Sequence, residues 1–535
     1  MKKTKLFLAL ILVLILGAQS ALGCTIIMVG NEATTDGSTI STHNDDSSSA
    51  DFRLWIIPSM KGGEGVMRDI VIDSHNYGDY GQFPEVKDYG NGYAVAQIEQ
   101  PKDTYAYLHS RYSFINEKGV AMGEATGGMC PDVVYDGTEI LDCWNLQDLA
   151  LEQCATATEA VEFMGALVEK YGFKDAEETI NISDGTDCWV FEVYGGRMWA
   201  AVRIPDNAMH VAANRATINY IDFEDTENYK YNPEIKSFAI ENGLWSEESG
   251  EEFSPARVYN ANTRPYSQLR EWRAFDLVAP SLELDPYDTA QGAYPLYVIP
   301  ERKLSVQDVF EIKGDYYQGT EFDVSLTPLA GDFGDPLNEF HANRTINLFR
   351  TCYVMISNVK AWLPDEVKCL VWYGYGAPDS TYLTPLWPSM TELPCYYDHG
   401  SRYEDMDLTS GWWINSWVQQ TARINYDYAI EVIHERRDTF MPQQYEDVAK
   451  LQEEAAKLIE EGKVEEARAL LTNYHLERAA ANFQTWIDLG WELHGDLTWG
   501  RIEMKSAAYS NWWKGILASG PVTTITSSAP GNKPL

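Results

Sequence analysis

The first 24 residues constrain this chain more than any other stretch. Met1-Lys2-Lys3-Thr4-Lys5 is a positive cluster, Leu6 to Leu16 is an unbroken apolar run, and Ala21-Leu22-Gly23 is a small-x-small step just before Cys24. This is the pattern of a secretory signal peptide and its cleavage site. The apolar run is shorter than the roughly 20 residues a membrane-spanning helix needs, and no later segment is apolar for that length. The expectation is an exported chain, extracellular or periplasmic, without a stable membrane span, whose mature form starts at Cys24. A cysteine in this position can also be the lipidated residue of a bacterial lipoprotein. The usual lipobox has Leu three residues before the cysteine, where this chain has Ala21, so ordinary cleavage is the preferred reading. A lipid-anchored, non-catalytic binding protein is the alternative from a different class.

A free N-terminal cysteine carries a nucleophile and a base in one residue. A thiol ionises near pH 8.5 and an α-amino group near about 7.7–8.0, so the amine can take the thiol proton and later return it to a leaving amine. Such a site still needs an anchor for the ammonium and fixed donors for an oxyanion. Other catalytic patterns are missing: there is no Walker loop, no H-E-x-x-H, no G-x-S-x-G and no S-x-x-K set. Asp405-Met406-Asp407 lacks the other ligands of a calcium loop.

Composition narrows the partners. Against 41 Lys+Arg stand 80 Asp+Glu, a formal net charge of -39, and no basic run follows the first five residues. A nucleic-acid surface needs local Lys/Arg density, so nucleic acid is not expected. With 45% hydrophobic residues the chain can fill a large core. The eight cysteines are scattered without a C-x-x-C pair, which argues against a zinc site and fits buried small hydrophobes or structural bridges.

Cys24 to Gly30 reads as a strand, Asn31 to Gly37 as a turn, and Ser38 to Asn44 as the returning strand. With the turn centred on Thr34, antiparallel pairing brings His43-Asn44-Asp45-Asp46 beside Cys24. Arg111 to Thr126 reads as a hairpin, Leu146 to Tyr171 as two amphipathic helices, and Glu178 to Arg215 as a four-strand meander. Cys352 to Ser357 and Lys368 to Tyr373 are further strands, while Ser410 to Arg437 and Tyr445 to Leu471 are helical. The organisation expected is a signal peptide over 1–23 and one α+β domain over 24–518. Within it, about 410–518 form a mostly helical appendage, and 519–535 are a polar, disordered tail.

The opening CTIIMVGNEATTDGSTISTHNDD resembles the dipeptidase A-type cysteine peptidases. These are N-terminal-nucleophile hydrolases related to secernins and, more distantly, to choloylglycine hydrolases and penicillin V acylases. The segments Ile115 to Thr126, Trp189 to Asp206, Val211 to Asn214, Leu269 to Leu282 and Trp412 to Ala422 extend the resemblance in the same order. It implies an αββα four-layer sandwich and hydrolysis of dipeptides or short peptides through a thioester, with no metal or cofactor. An acylase acting on N-acyl amino acids, penicillin V or bile-salt-like amides is the alternative within this class. A homo-oligomer is compatible with the resemblance.

Carried over residue by residue, the resemblance makes Cys24 the nucleophile and, through its amine, the base. Asp46 would orient that amine. Asn214 would donate to the oxyanion, Thr126 would stand where a second donor is supplied, and Arg270 would be the late arginine near the nucleophile, with Arg273 close enough to be confused with it. His43 and Asn44 fall in the oxyanion or substrate-binding region. His43 departs from the pattern, because relatives carry Arg or Lys there, and a histidine holds a thiolate by charge only when protonated.

Overall fold

The computed structural model describes residues 23–47, 52–72, 93–260, 265–338, 341, 343–401, 405–498, 501–502, 505–506, 509 and 511–519. The signal-peptide segment up to residue 22 and the tail from residue 520 lie outside the described residues. Within them the protein is α+β, built on two large antiparallel sheets.

The first strand, β1 (Ile26–Val29), is four apolar residues buried on both faces, as expected of a strand with packed layers on either side. β2 (Thr39–Asp46) is polar in sequence yet buried along its whole length. These two strands lie near the middle of a seven-stranded sheet. Its spatial order is Tyr297–Val298, Met209–Ala212, β1, β2, Thr351–Val359, Cys369–Tyr375 and Thr384–Leu386. The register pairs Met28 with Ser41 and Val29 with Ile40. Continued back along β1, it sets Cys24 opposite Asp45, one residue from the position a turn centred on Thr34 implies.

The second sheet has eight strands, among them β3 (Ala121–Thr126) and its neighbour β4 (Glu178–Ser183). β1 and β2 pack against β3 and β4. The approach is close: a Cβ on Gly123 would lie 2.2 Å from the Thr42 carbonyl oxygen, so this position in β3 admits only glycine. Two helices cover the outer side of this sheet, α1 (Cys143–Gln153) and α2 (Ala157–Tyr171). Asp142 and Thr156 cap them by accepting from the Asn145 and Glu159 amides. On the first sheet, α3 (Pro265–Val278) meets Met209–Ala212 and α4 (Val306–Lys313) meets Thr351–Val359. A Ser305–Asp308 capping box starts α4, which ends on Lys313.

The structure corrects the four-strand meander. β4, Cys188–Val193 and Trp199–Arg203 do pair in succession, but Met209–Ala212 leaves that sheet and pairs with β1 in the other. The turn at Pro205–Asp206 carries the chain across. It docks on Gly30, where a Cβ would lie 2.3 Å from the Asp206 carbonyl oxygen, and the crossing delivers Asn214 to Cys24. The C-terminal helices, Gly411–Ala422, Tyr426–Asp438, Met441–Glu460 and Val464–Leu497, share one apolar core with the first sheet, running from Ile27 through Val354 to Ile414, Trp486 and Leu493. Asn511–Ser519 forms a further helix. No disulfide joins any of the eight cysteines; seven are buried and Cys395 is exposed. No helix among the described residues is long and apolar enough to cross a membrane.

Candidate active site

Cys24 sits two residues ahead of β1 and is 1% exposed. Three elements hold it by three different groups. Its backbone N–H donates to Asn214 Oδ1 at 3.1 Å, its carbonyl accepts from Arg270 Nη1 at 2.8 Å, and its Sγ–H donates to Glu124 Oε1 at 3.2 Å.

Alternation along β2 divides its residues between two faces. His43 points toward the second sheet. Its Nε2 lies 3.0 Å from Glu124 Oε1 and its Nδ1 lies 3.0 Å from the Tyr353 hydroxyl, so neither ring nitrogen is spent on the sulfur. Asp46 points the other way. Its Oδ1 accepts from the Thr351 hydroxyl at 2.6 Å, and its Oδ2 is buried without a hydrogen-bond partner among the described residues. Asn44 shares that face and is buried, with neither amide atom hydrogen-bonded among the described residues.

Asn214 has φ +64°, a left-handed conformation that asparagine tolerates better than most residues. Its Nδ2 donates to the Thr126 carbonyl at 2.8 Å, and its Oδ1 also accepts from Arg270 Nη2 at 2.8 Å. Thr126 ends β3 and donates its hydroxyl to Glu124 Oε2 at 3.3 Å. Arg270, on α3, is fully buried. Besides Cys24 and Asn214 it donates to Thr25 Oγ1 and to the Ala213 and Tyr266 carbonyls. Arg273, its neighbour on the helix, turns away to a bidentate pair with Asp315 at 2.9–3.0 Å, so of the two it is Arg270 that touches Cys24.

Three ionisable residues of the site are not anticipated by sequence: Glu124, Glu178 and Lys313. A charged residue inside the apolar strand AMGEAT was the one available signal for Glu124. Lys313 donates from the end of α4 to the Thr25 carbonyl, and to Thr42 Oγ1 at 3.3 Å.

These groups set one another's charge. Burial, then the charges of Glu124, Asp45 and Asp46, pushes the Cys24 thiol well up; the Asp46 backbone amide pulls slightly the other way. Burial also raises Glu124, but the hydrogen bond and charge of His43 outweigh it and hold the carboxyl at about 2. Burial and the Glu124 charge drive Glu178 well above the carboxylate range, so it stays protonated and hydrogen-bonds to Glu124. Burial lifts Asp46 to about 6 against the Thr351 hydroxyl and the cations Arg350, Arg270 and Lys313. Lys313 is brought down to about 7 by burial, against the attraction of Asp46.

The ligand atoms of Cys24, His43 and Glu124 lie within 4.8 Å of one another. A divalent cation bound by them would consume the thiol.

A buried thiol thus stands at the head of a central strand, with a carboxylate, an arginine and an asparagine fixed around it. A model of peptidase family C69 matches residues 23–438, and the chain belongs to that family. A probable dipeptidase of Latilactobacillus sakei is 26% identical over 420 residues, 75% of this chain and 81% of the relative. A probable dipeptidase B of Lactococcus lactis is 25% identical over 485 residues, covering 86% and 93%. Dipeptidase A of Lactobacillus helveticus is 24% identical over 453 residues, covering 81% and 88%.

Proposed function

We propose that this chain is an exported cysteine dipeptidase that hydrolyses dipeptides or short peptides with Cys24 as its N-terminal nucleophile, on an αββα N-terminal-nucleophile sandwich. In this reading 24–518 is one catalytic domain, and removal of residues 1–23 completes the site. The observation that carries it is the mismatch between the thiol and its neighbour. Glu124 accepts the Sγ–H, but a carboxylate at about 2 is far too weak a base for a thiol pushed well up by burial. Glu124 therefore positions the sulfur and cannot activate it. The two nitrogens of His43 are engaged elsewhere. A Cys24 α-amine, ionising near about 7.7–8.0, is a far stronger base than Glu124, and it exists only after the Gly23–Cys24 bond is cut.

The steps follow. The amine takes the Sγ proton as sulfur attacks the peptide carbonyl, forming the S–C bond and an oxyanion. Asn214 Nδ2, released from the Thr126 carbonyl, donates to that oxygen. The C–N bond breaks, and the amine passes its proton to the leaving amino group. Water then attacks the thioester, releasing the acid and restoring the thiol. Asp46 Oδ2 is the buried acceptor for the Cys24 ammonium, and Arg270 locks the Cys24 carbonyl so that amine and sulfur keep their orientation. The names of the relatives support dipeptides over acyl-amides.

Protein expressed from the complete chain should have an intact mass corresponding to a start at Cys24 and should hydrolyse dipeptides. Cys24→Ala should lower kcat/KM by at least about 10³-fold. Turnover by the alanine variant equal to wild type refutes the nucleophile, and lipid mass on Cys24 refutes the free amine.

A further inference from the structure

Three segments of the two sheets bring three metal-binding side chains to one point. Cys24 stands just ahead of β1, His43 is on β2 and Glu124 is on β3. Glu124 Oε1 lies 3.2 Å from Cys24 Sγ and 3.0 Å from His43 Nε2, and the three ligand atoms all fall within 4.8 Å of one another. None of the three residues is more than 1% exposed. Their spacing along the chain matches no zinc motif; the packing of β1 and β2 on β3 creates the group.

The geometry fits tetrahedral zinc. Bonds of about 2.3 Å to sulfur and about 2.0–2.2 Å to nitrogen and oxygen put neighbouring ligand atoms about 3.3–3.6 Å apart. The two contacts of Glu124 Oε1 need to widen by only about 0.4 Å to meet this. Groups that would steady the ligands are also in place. His43 Nδ1 faces the Tyr353 hydroxyl at 3.0 Å, so a proton kept on Nδ1 leaves Nε2 its lone pair for a metal. The Thr126 hydroxyl holds Glu124 Oε2 at 3.3 Å, and the two protons that Oε1 accepts are the ones an ion would displace. Charge balances as well. The metal-free group holds a thiol, an ionised Glu124 and the His43 cation that keeps it ionised, with no net charge. Zinc releases the Sγ and Nε2 protons, and thiolate, carboxylate, neutral imidazole and Zn²⁺ again carry no net charge. Exchanging two protons for one dication therefore leaves no uncompensated charge buried.

We propose that Cys24, His43 and Glu124 form an inhibitory zinc site, in which the ion takes the thiol out of use until a chelator removes it. The inhibitory effect rests on the nucleophile reading of Cys24. The ion acts here as an inhibitor and not as a cofactor, because it occupies the sulfur that would attack the peptide carbonyl. Cys143 and Glu178 form a second group with Glu124 whose ligand atoms are equally close. That group offers no nitrogen, and a metal there would have to strip the proton that Glu178 keeps. Imidazole and thiolate together suit zinc better than a thiolate with two carboxyl groups, so the group at Cys24 is the site.

The test follows dipeptide hydrolysis by protein expressed from the complete chain and processed before Cys24, in buffers that fix free zinc. At about 1 µM free zinc, wild-type kcat/KM should fall at least about 10-fold and return with EDTA. His43→Arg keeps a cation against Glu124 but offers no lone pair. Its own activity should need at least about 100-fold more zinc for the same fractional loss. Cys143→Ala should stay as sensitive as wild type. Cobalt(II) reads the site without turnover. Wild type and Cys143→Ala should show a sulfur-to-cobalt charge-transfer band, Cys24→Ala should lack it, and His43→Arg should need far more cobalt, with melting temperatures confirming that the variants fold. Equal zinc sensitivity in wild type and His43→Arg, or sensitivity lost in Cys143→Ala, overturns the site. A cobalt band that depends on Cys24 and His43, in a protein without dipeptide turnover, upholds the metal site and sinks the peptidase. Turnover indifferent to zinc does the reverse.

Discussion

Cys24 stands between two walls of opposite charge. Toward the second sheet lie Glu124, Glu178 and Asp45 with His43 among them; toward α3, α4 and Gly23 lie Arg270, Lys313, Arg344 and Arg350 around Asp46. The acidic wall is internally settled. His43 holds Glu124 ionised, and Glu178 stays neutral by keeping its proton. In the basic wall burial instead moves groups toward their neutral forms, Asp46 up to about 6 and Lys313 down to about 7. The thiol is thus flanked on one side by a pair that keeps its charge and on the other by groups that titrate near neutral pH, so the first orients it and the second makes its surroundings sensitive to pH.

The largest effect expected from disturbing this contrast is at Glu124. Glu124→Gln keeps the shape but removes the charge that His43 faces inside the protein, where breaking one side of a buried pair costs about 3–5 kcal/mol. Urea denaturation should show a loss in that range, while Glu178, raised chiefly by burial, should keep its proton. A loss below about 1 kcal/mol would mean that the acidic wall is not organised by the His43–Glu124 pair.

Asp46 tests the opposite wall through activity. Its folded value of about 6 means that it is ionised above pH 6 and neutral below. As the ammonium anchor, it should add to wild-type kcat/KM an acid limb at or below that pH, beneath the limb the amine itself sets near about 7.7–8.0. Asp46→Asn should lower kcat/KM by about 10²-fold, in the range of a lost catalytic orienting group, and should remove that limb. A pH profile unchanged in shape would exclude the anchoring role.

How much of this was legible in the sequence depended on whether the signal was local. β1, the hairpin that includes β3, α1 and α2 follow from apolar period and turn residues, because each is decided within a few neighbours. The sheet crossing at Pro205–Asp206 was not legible: a turn that stays in one sheet and a turn that changes sheets use the same residues. Only the contact of Asp206 with Gly30, far away in the chain, separates them. Cys24, Asp46, Asn214 and Arg270 could be named because the family resemblance marks them. Glu124 carried one local signal, a charge inside an apolar strand, whereas Lys313 carried none, and the fold alone brings it beside Thr25 and Thr42. The register differed by one residue because the turn is not symmetric about Thr34, whose hydroxyl donates to the Ser38 carbonyl at 2.7 Å.

Lys313 offers the smallest and most specific measure of burial on the basic wall. Its ordinary value of 10.5 falls to about 7 in the folded protein. Between those values the unfolded chain binds a proton that the folded chain does not, so stability from this group rises with pH. Below about 7 both states carry the proton, and the group adds no slope. Asp46 has the opposite sign in a separate window: its folded value lies above 3.8, so its contribution falls as pH rises from there to about 6. Wild type should therefore gain on Lys313→Met by at most about 1.4 kcal/mol per pH unit above pH 7, with no change in their difference from Lys313 just below it. Urea denaturation of both proteins at about pH 6, 7, 8 and 9 reads this directly. A constant difference across the series would show that Lys313 keeps its charge in the folded protein despite its burial.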